Sequence, residues 1–522
     1  MRSVTWMNRS RLIIVGIGLA LIFGGACNCE EDPDPDPDVV DNDVDDVEDD
    51  VDEEPVDIPE DMARIQVVHN AADPGAESID VWFDEDLVVD DFDFRTATPY
   101  VDVDADNYEV NIAPAGSDDP DDGIVTFEDV EFDDQQRYLV VANGVLDPGE
   151  FDANPDGEDI DLTLYVYEDA REVASDSDAD DLLLFHGATD APGVDLRVNN
   201  EVNAVSDLTY GSFTDGYLSL APGITVFDVL VADSDDRVAS YQTPSLDGGD
   251  AWVGLASGFL NPDDQNENAP FEIVVYPTPV DGDRLEAIVL DEAARVQLAH
   301  DSIDPDAESV DLFADDMRLE EDLEFRDATP FLTLASGQET ELAVAAPGAD
   351  AEEALESSTI EFDPGETYLG IVSGVAEPGD FPDNPDGADT ALDFYTYSDA
   401  REDGTDSEAA DVLGFHSILD GPEVVVDAEV DGDEIRVIDD FGYGEFADYT
   451  TVATDGDTQL AIAPAADPDS PVAEFAIDTE AFDGEALTMI ASGLLAADDF
   501  DAPSVALVVV DADGETVTVE PE

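Results

Sequence analysis

The chain has 522 residues, of which 136 are Asp or Glu and 15 are Lys or Arg, for a formal net charge of −121. That length suits three to five domains, and an apolar share of 43% supplies real cores. All fifteen basic residues are Arg; with no basic face to meet phosphates, nucleic acid is excluded as a partner.

Low hydropathy with high net charge ordinarily points to disorder. Here the apolar residues are patterned, so a folded chain is expected that tolerates strong self-repulsion. Molar salt shortens the Debye length to ~3 Å and removes most of that repulsion. Abundant surface carboxylate without Lys is the composition expected of a protein that works in high salt.

From the N-terminus, Arg2, Arg9 and Arg11 precede the apolar run Leu12–Phe23, and Gly24-Gly25-Ala26 precede Cys27. A positive start, a short apolar run and small residues make a secretory signal. The small residues before the cysteine resemble a bacterial lipobox, with Gly24 where Leu is usual. The resemblance implies cleavage after Ala26, lipidation of Cys27 and a membrane partner reached through the lipid. The stretch Leu12–Ala26 is short of the ~20 residues needed to span a bilayer. Cys27 and Cys29 are the only cysteines, so the folded part has no disulfide and no thiolate metal site. Residues 30–62 hold 19 acids interleaved with Pro and Val and read as an extended tether. At up to ~3.3 Å per residue it reaches ~100 Å.

Internal repeats set the rest. Ala63-Arg64-Ile65-Gln66-Val67-Val68-His69 recurs as Ala294-Arg295-Val296-Gln297-Leu298-Ala299-His300, and Arg95-Thr96-Ala97-Thr98-Pro99-Tyr100 as Arg326-Asp327-Ala328-Thr329-Pro330-Phe331. A more divergent copy follows each: Leu184-Phe185-His186 answers Gly414-Phe415-His416. All four copies carry a late strand ending in glycine, at Gly144, Gly258, Gly374 and Gly493. The plan is A-B-A′-B′: a signal over 1–26, the lipidated Cys and acidic tether over 27–62, then copies at 63–176, 177–288, 289–406 and 407–522.

Within each copy the apolar period is two. Ile65, Val67 and His69 share a face, as do Ile79, Val81 and Phe83. Such alternation predicts strands packed on one side, with almost no helix. Asn199-Asn200 suits a primed hairpin turn. Seven or eight strands in each copy predict an all-β chain of four tandem immunoglobulin-like β-sandwiches.

At His-x-x-x-Asp followed closely by Pro, alternating apolar residues and Thr-Pro-Tyr, residues 63 to about 510 resemble the bacterial and archaeal domain-of-unknown-function family 4397. In copies two and four, Thr-Pro gives way to Asp215-Gly216 and Ala447-Asp448. The resemblance implies an exported, repeated β-domain on cell surfaces, and implies no activity, substrate or catalytic residue.

The four histidines, His69, His186, His300 and His416, each end the first strand of a copy. Each is followed four residues on by Asp73, Asp190, Asp304 or Asp420. Such a pair can be a metal half-site or a base with its orienter. The imidazoles are in phase with the inward face, which makes them structural pins for the next loop. Six of the twelve arginines after Cys27 form matched pairs, Arg64/Arg295, Arg95/Arg326 and Arg171/Arg401, expected as ion-pair hubs. Asp152-x-Asn154-x-Asp156-Gly157 resembles the start of a calcium loop, but Thr163 stands where the twelfth-position Glu belongs. Calcium is thus a possible ligand, and no other cofactor is expected.

No Ser or Cys nucleophile recurs at a fixed offset, so no enzyme is expected. The sequence favours an exported, surface-anchored lipoprotein of the outer membrane or cell surface. It would act in high salt as a structural, adhesive or ligand-display module toward surface glycans or envelope proteins. A polysaccharide-acting hydrolase of the cell surface and a cation-binding periplasmic carrier are the alternatives.

Overall fold

A computed structural model describes residues 56–522, apart from 202, 235, 263–268, 279–283, 431–432, 455–456 and 501. Cys27, Cys29 and the signal lie outside the described residues. The fold is all-β, with separate sheets of four to six strands consistent with repeated β-sandwiches. The sole α-helix among the described residues is the four-residue turn Ala497–Phe500.

In copy one, strand Met62–His69 lies between Arg137–Asn143, parallel to it, and the antiparallel pieces Thr96–Ala97 and Val101–Asp104. The second sheet orders Asp86–Asp93, Ser78–Phe83, Asn107–Pro114 and Val125–Glu131. Ile65, Val67, Ile79, Val81, Ile112, Phe132 and Val140 fill the space between the sheets. Copies three and four close in the same way around Val296, Leu298, Val310 and Phe362, and around Val412, Val426, Ile462 and Phe475.

One expectation fails. The first strands are not packed on one side. Seven of eight residues in Met62–His69 are buried, as are all seven in Asp180–His186 and all ten in Ala409–Ile418. Their second faces build another core. Val68, Leu139 and Val141 from copy one meet Leu183, Phe185, Val253 and Leu255 from copy two. Leu369 and Ile371 from copy three meet Leu413, Phe415, Ile490 and Val508 from copy four. A sheet covered on both faces reads as a near-continuous apolar run, as parallel pairs usually do. Each fully buried Leu, Val or Phe there contributes roughly 1.5–3 kcal/mol. The facing sheets of the two copies in each doubled pair therefore share a core.

The chain divides into two compact units, one of 1–191, 210–222 and 247–288, the other of 192–209, 223–246 and 289–522. Copy two gives its five-stranded sheet to the first and its four-stranded sheet to the second. Its hairpin turn is of the primed kind: Asn199 and Asn200 have φ of 49° and 59°, and Glu201 N–H donates to the Val198 carbonyl at 3.0 Å.

Candidate functional site

The late glycines locate the polar centre of each copy. Gly144, Gly258, Gly374 and Gly493 have φ between 85° and 114°. A Cβ on any of them would fall 2.3–2.5 Å from a backbone oxygen of the strand-return loop. Only glycine fits there, and the chain turns sharply past it. The motif aspartates catch that turn. Asp73 takes the N–H of Leu146 at 2.7 Å and Asp304 that of Ala376 at 2.7 Å. Asp190 takes Leu260 and Asn261 at 2.8 and 2.9 Å, and Asp420 takes Leu495 and Ala496 at 2.7 and 3.0 Å. In each copy the first bonded amide lies two residues past the glycine. Asp73 and Asp304 also cap the 3-10 turns Pro74–Ala76 and Pro305–Ala307 through Gly75 and Asp306 N–H.

The histidines bond elsewhere. Nε2 of His69 and of His300 lies 2.7 Å from the carbonyl of Ala76 and Ala307, across the turn its aspartate caps. His416 Nε2 lies 2.9 Å from the Pro422 carbonyl. A carbonyl accepts only from N–H, which puts the proton on Nε2. Nδ1 of His69 and His416 then accepts from Ala71 and Ile418 N–H at 3.3 and 3.2 Å. Burial lowers His69 and His300 to about 4, the carbonyl bond opposing it, and lowers His416 for the same reason. His186 is buried against the Tyr210 ring. The aspartates bond backbone amides some 70 residues away, Asp73 and Asp304 a local amide as well, while the imidazoles of His69, His300 and His416 bond a local carbonyl. In His69 and His416 both nitrogens are engaged, and a neutral, enclosed imidazole of that kind is poorly placed to ligate a metal or relay a proton.

Two of the three matched arginine pairs take matched carboxylates. Arg171 and Arg401 pair with Asp181 and Asp411, and each lies over a tyrosine ring, Tyr217 or Tyr449. Arg64 and Arg137 share Glu172, whose side chain is fully buried; Val56 N–H also bonds it at 3.0 Å. In copy three Arg295 pairs with Glu402, Nη2 to Oε2 at 3.1 Å, and the second guanidinium is Arg237 of copy two.

The calcium-loop candidate has another use. Asn154 is buried, and its Nδ2 donates to the Thr189 and Ala191 carbonyls at 3.1 and 3.0 Å while its Oδ1 accepts from Asp156 N–H at 3.0 Å. Asn384 does the same to Leu419 and Gly421. This asparagine staples each A copy to the start of the following B copy. The flanking Asp152 is exposed. A tighter acidic cluster, missed in the sequence, brings carboxylate oxygens of Asp80, Asp90 and Asp91 within 4.8 Å of one another. Asp80 is buried with both oxygens on backbone amides, of Asp91 and Ser117.

A second feature is a hollow of about 550 Å³ lined by Arg197, Arg237, Arg295, Asp228, Glu402 and Phe331, among others. It gathers three of the twelve arginines that follow Cys27. Two other hollows, of about 570 and 250 Å³, have no described cationic side chain in their walls. Burial and the nearby Arg295 lower the Arg237 guanidinium. The sequence clues to this place were the scarcity of Arg and the matched position of Arg295.

No helix among the described residues is long and apolar enough to cross a membrane. No curated protein matches the chain. Among solved structures, the Bacillus anthracis TIE protein is 9% identical over 83% of this chain and 75% of its own, with a TM-score of 0.14. A putative cell adhesion protein from Bacteroides eggerthii is 12% identical over 43% of this chain and 96% of its own, with a TM-score of 0.14. At those scores neither likeness carries an argument. Residues 63–178, copy one, match the model of the family described as "Domain of unknown function (DUF4397)".

Proposed function

We propose that the chain is an exported lipoprotein, held to a membrane through Cys27, that displays paired β-sandwiches in a salty medium and binds saccharide-bearing surface partners. The observation that carries the reading is where the repeated polar residues go. The His, Asp and late Gly of the copies are spent on backbone contacts that fix loops, so what repeats is a scaffold. Tandem copies on a tether add reach and avidity. The hollow around Arg237 and Arg295 is the candidate contact. Its volume falls in the range of small-molecule sites. Planar guanidinium and carboxylate groups beside an aromatic wall suit a hydroxyl-rich ring.

The test presents the full chain, in molar NaCl, to arrays of neutral and uronic-acid oligosaccharides. Binding that Arg237→Ala weakens at least tenfold, measured at a temperature where the variant is shown by its melting curve to be fully folded, supports the reading; no saccharide retained above background refutes it. Release of reducing ends in the same mixtures would favour the hydrolase alternative. In cells, Cys27→Ser should move the protein from the membrane fraction to the soluble one.

A further inference from the structure

The joint between copies three and four contains a carboxylate where the joint between copies one and two contains an amide. Asn70, next to His69, is buried; its Nδ2 donates to Asn143 Oδ1 at 2.8 Å, and Asn143 Nδ2 to the Tyr210 hydroxyl at 3.0 Å. The matching positions in the second pair are Asp301, Ser373 and Tyr443. Asp301 is 1% exposed. The hydroxyls of Ser417 and Ser492 face it, yet neither carboxylate oxygen takes a well-formed hydrogen bond. Each hydroxyl has a further partner: Ser417 Oγ lies 2.6 Å from Ser373 Oγ, and Ser492 Oγ accepts from Arg326 Nε at 3.1 Å.

The arginine at this joint explains the exchange. Arg95 bonds Ser257 Oγ through Nε at 3.0 Å, as Arg326 bonds Ser492, and it also pairs with Glu272. Glu272 lies opposite Ser257 in the ladder; the residue opposite Ser492 is Ala506. The first joint therefore keeps its counter-charge at a part-exposed rim and a neutral amide inside. The second has Ala506 at the ladder position of that rim carboxylate and carries a carboxylate in the interior.

We propose that the joint between copies three and four is a proton-operated latch: protonated Asp301 sits between the facing sheets as a neutral hydrogen-bonding group, and loss of its proton loosens them. The joint between copies one and two, with Asn70 in that place, is a fixed one. The groups that bear on Asp301 are Arg326, the phenol of Tyr443, itself beside Tyr395, and, through Arg326, Glu520. Burial pushes Asp301 up to about 6, opposed by Ser417, Ser492 and Arg326. A carboxyl raised on folding stabilises below its ordinary value, and that contribution is lost as pH rises through about 6. His300 and His416, on the strands that flank the joint, are lowered by burial and act with the opposite sign, so the difference between wild type and Asp301→Asn isolates the carboxyl.

The test is hydrogen exchange by mass spectrometry on the full chain in molar NaCl from pH 5 to pH 8, with the intrinsic chemical rate divided out. In Ala294–Ser302 and Ala409–Ile418, opening of wild type relative to Asp301→Asn should increase about tenfold over that range. In Met62–His69 and Asp180–His186 the ratio should stay constant. A ratio independent of pH in the second pair overturns the proposal. The double variant Asn70→Asp, Glu272→Ala should transfer the pH dependence to the first pair, and its failure to do so overturns the assignment to this position even if Asp301→Asn folds poorly.

Discussion

Replacing Asp190 by Ala removes the clamp on the loop past Gly258. Its carboxylate is 6% exposed and receives two backbone N–H bonds, from Leu260 at 2.8 Å and Asn261 at 2.9 Å. Hydrogen bonds to a charged group are worth ~1.5–3 kcal/mol each. Two of them, less whatever water recovers at the part-exposed amides, give a loss of ~3–4 kcal/mol. Asp190→Asn keeps one acceptor oxygen in nearly the same place and should lose about half as much. The substitution also removes one of 136 acids, a gain that molar salt screens almost completely. The assay is urea unfolding at pH 7 in molar NaCl, followed by the fluorescence of Trp252, which lies in the same copy and donates its indole N–H to Asp180 at 3.2 Å. The unfolding transition that Trp252 reports together with Trp82, which lies in the same compact unit, should shift to lower urea. Asp190→Ala within ~0.5 kcal/mol of wild type would refute the clamp. So would unchanged stability accompanied by loss of a bound ion, which would return the aspartate to a ligand's role.

Two further outcomes follow from burial and charge. His69 is lowered to about 4 by burial, below its ordinary 6.5, so its contribution is present above pH 6.5 and is lost as pH falls through about 4; the ~2.5-unit difference is worth ~3 kcal/mol, and urea unfolding of His69→Gln in molar salt should show a correspondingly shallower acid dependence, equal slopes for both proteins counting against a neutral buried ring. With a net charge of −121, the melting temperature should climb from dilute buffer to molar NaCl as repulsion is screened, and a flat profile by calorimetry would mean that the acidity serves something else.

What could be read from the chain was what is local. The alternation Ile65, Val67, His69 marks the inward face of its strand, and the paired Asn199-Asn200 marks a primed turn. The second core was harder to see. Val68 breaks the alternation, and Gln66 beside it looks solvent-facing but is fully buried, its Nε2 donating to the Thr98 carbonyl at 3.1 Å. The unbroken Leu182-Leu183-Leu184-Phe185 was the clearer sign of a strand covered on both faces. The His-x-x-x-Asp spacing suggested pins for the loop that follows each strand, with a metal half-site or a base and its orienter as the other readings. The aspartate's partners are instead backbone amides some 70 residues downstream, and an amide has no signature in a sequence. The hollow around Arg237 shared that difficulty, since its residues come from three copies and the repeats that supply Arg295 and Phe331 do not show what they meet.

The Arg–Glu hub shows why the copies are not interchangeable links. Copy one supplies both cations for Glu172 from its own strands, Arg64 and Arg137, which face each other in the parallel ladder. In copy three the residue opposite Arg295 is Thr367, so Glu402 would keep only one cation if the copy stood alone. Arg237 of copy two replaces the missing one. The same junction is held by two side-chain amides acting on the edge strand of copy three. Asn200 donates to the Thr333 carbonyl at 2.8 Å and accepts from its N–H at 2.6 Å, and Gln242 treats Ser336 likewise at 3.1 and 2.7 Å. Each amide copies the paired donor and acceptor of a neighbouring strand, so the edge is covered without another strand being added. In copy one the corresponding position, beside Arg64, is occupied by Asp102, and Val56 at the end of the tether bonds the buried glutamate. The hub in copy one is thus completed by the tether, and the hub in copy three by the copy before it. A carboxylate stripped of one of two cations keeps its desolvation cost without its compensation. The order tether, A, B, A′ is therefore written into the ion pairs as well as into the chain.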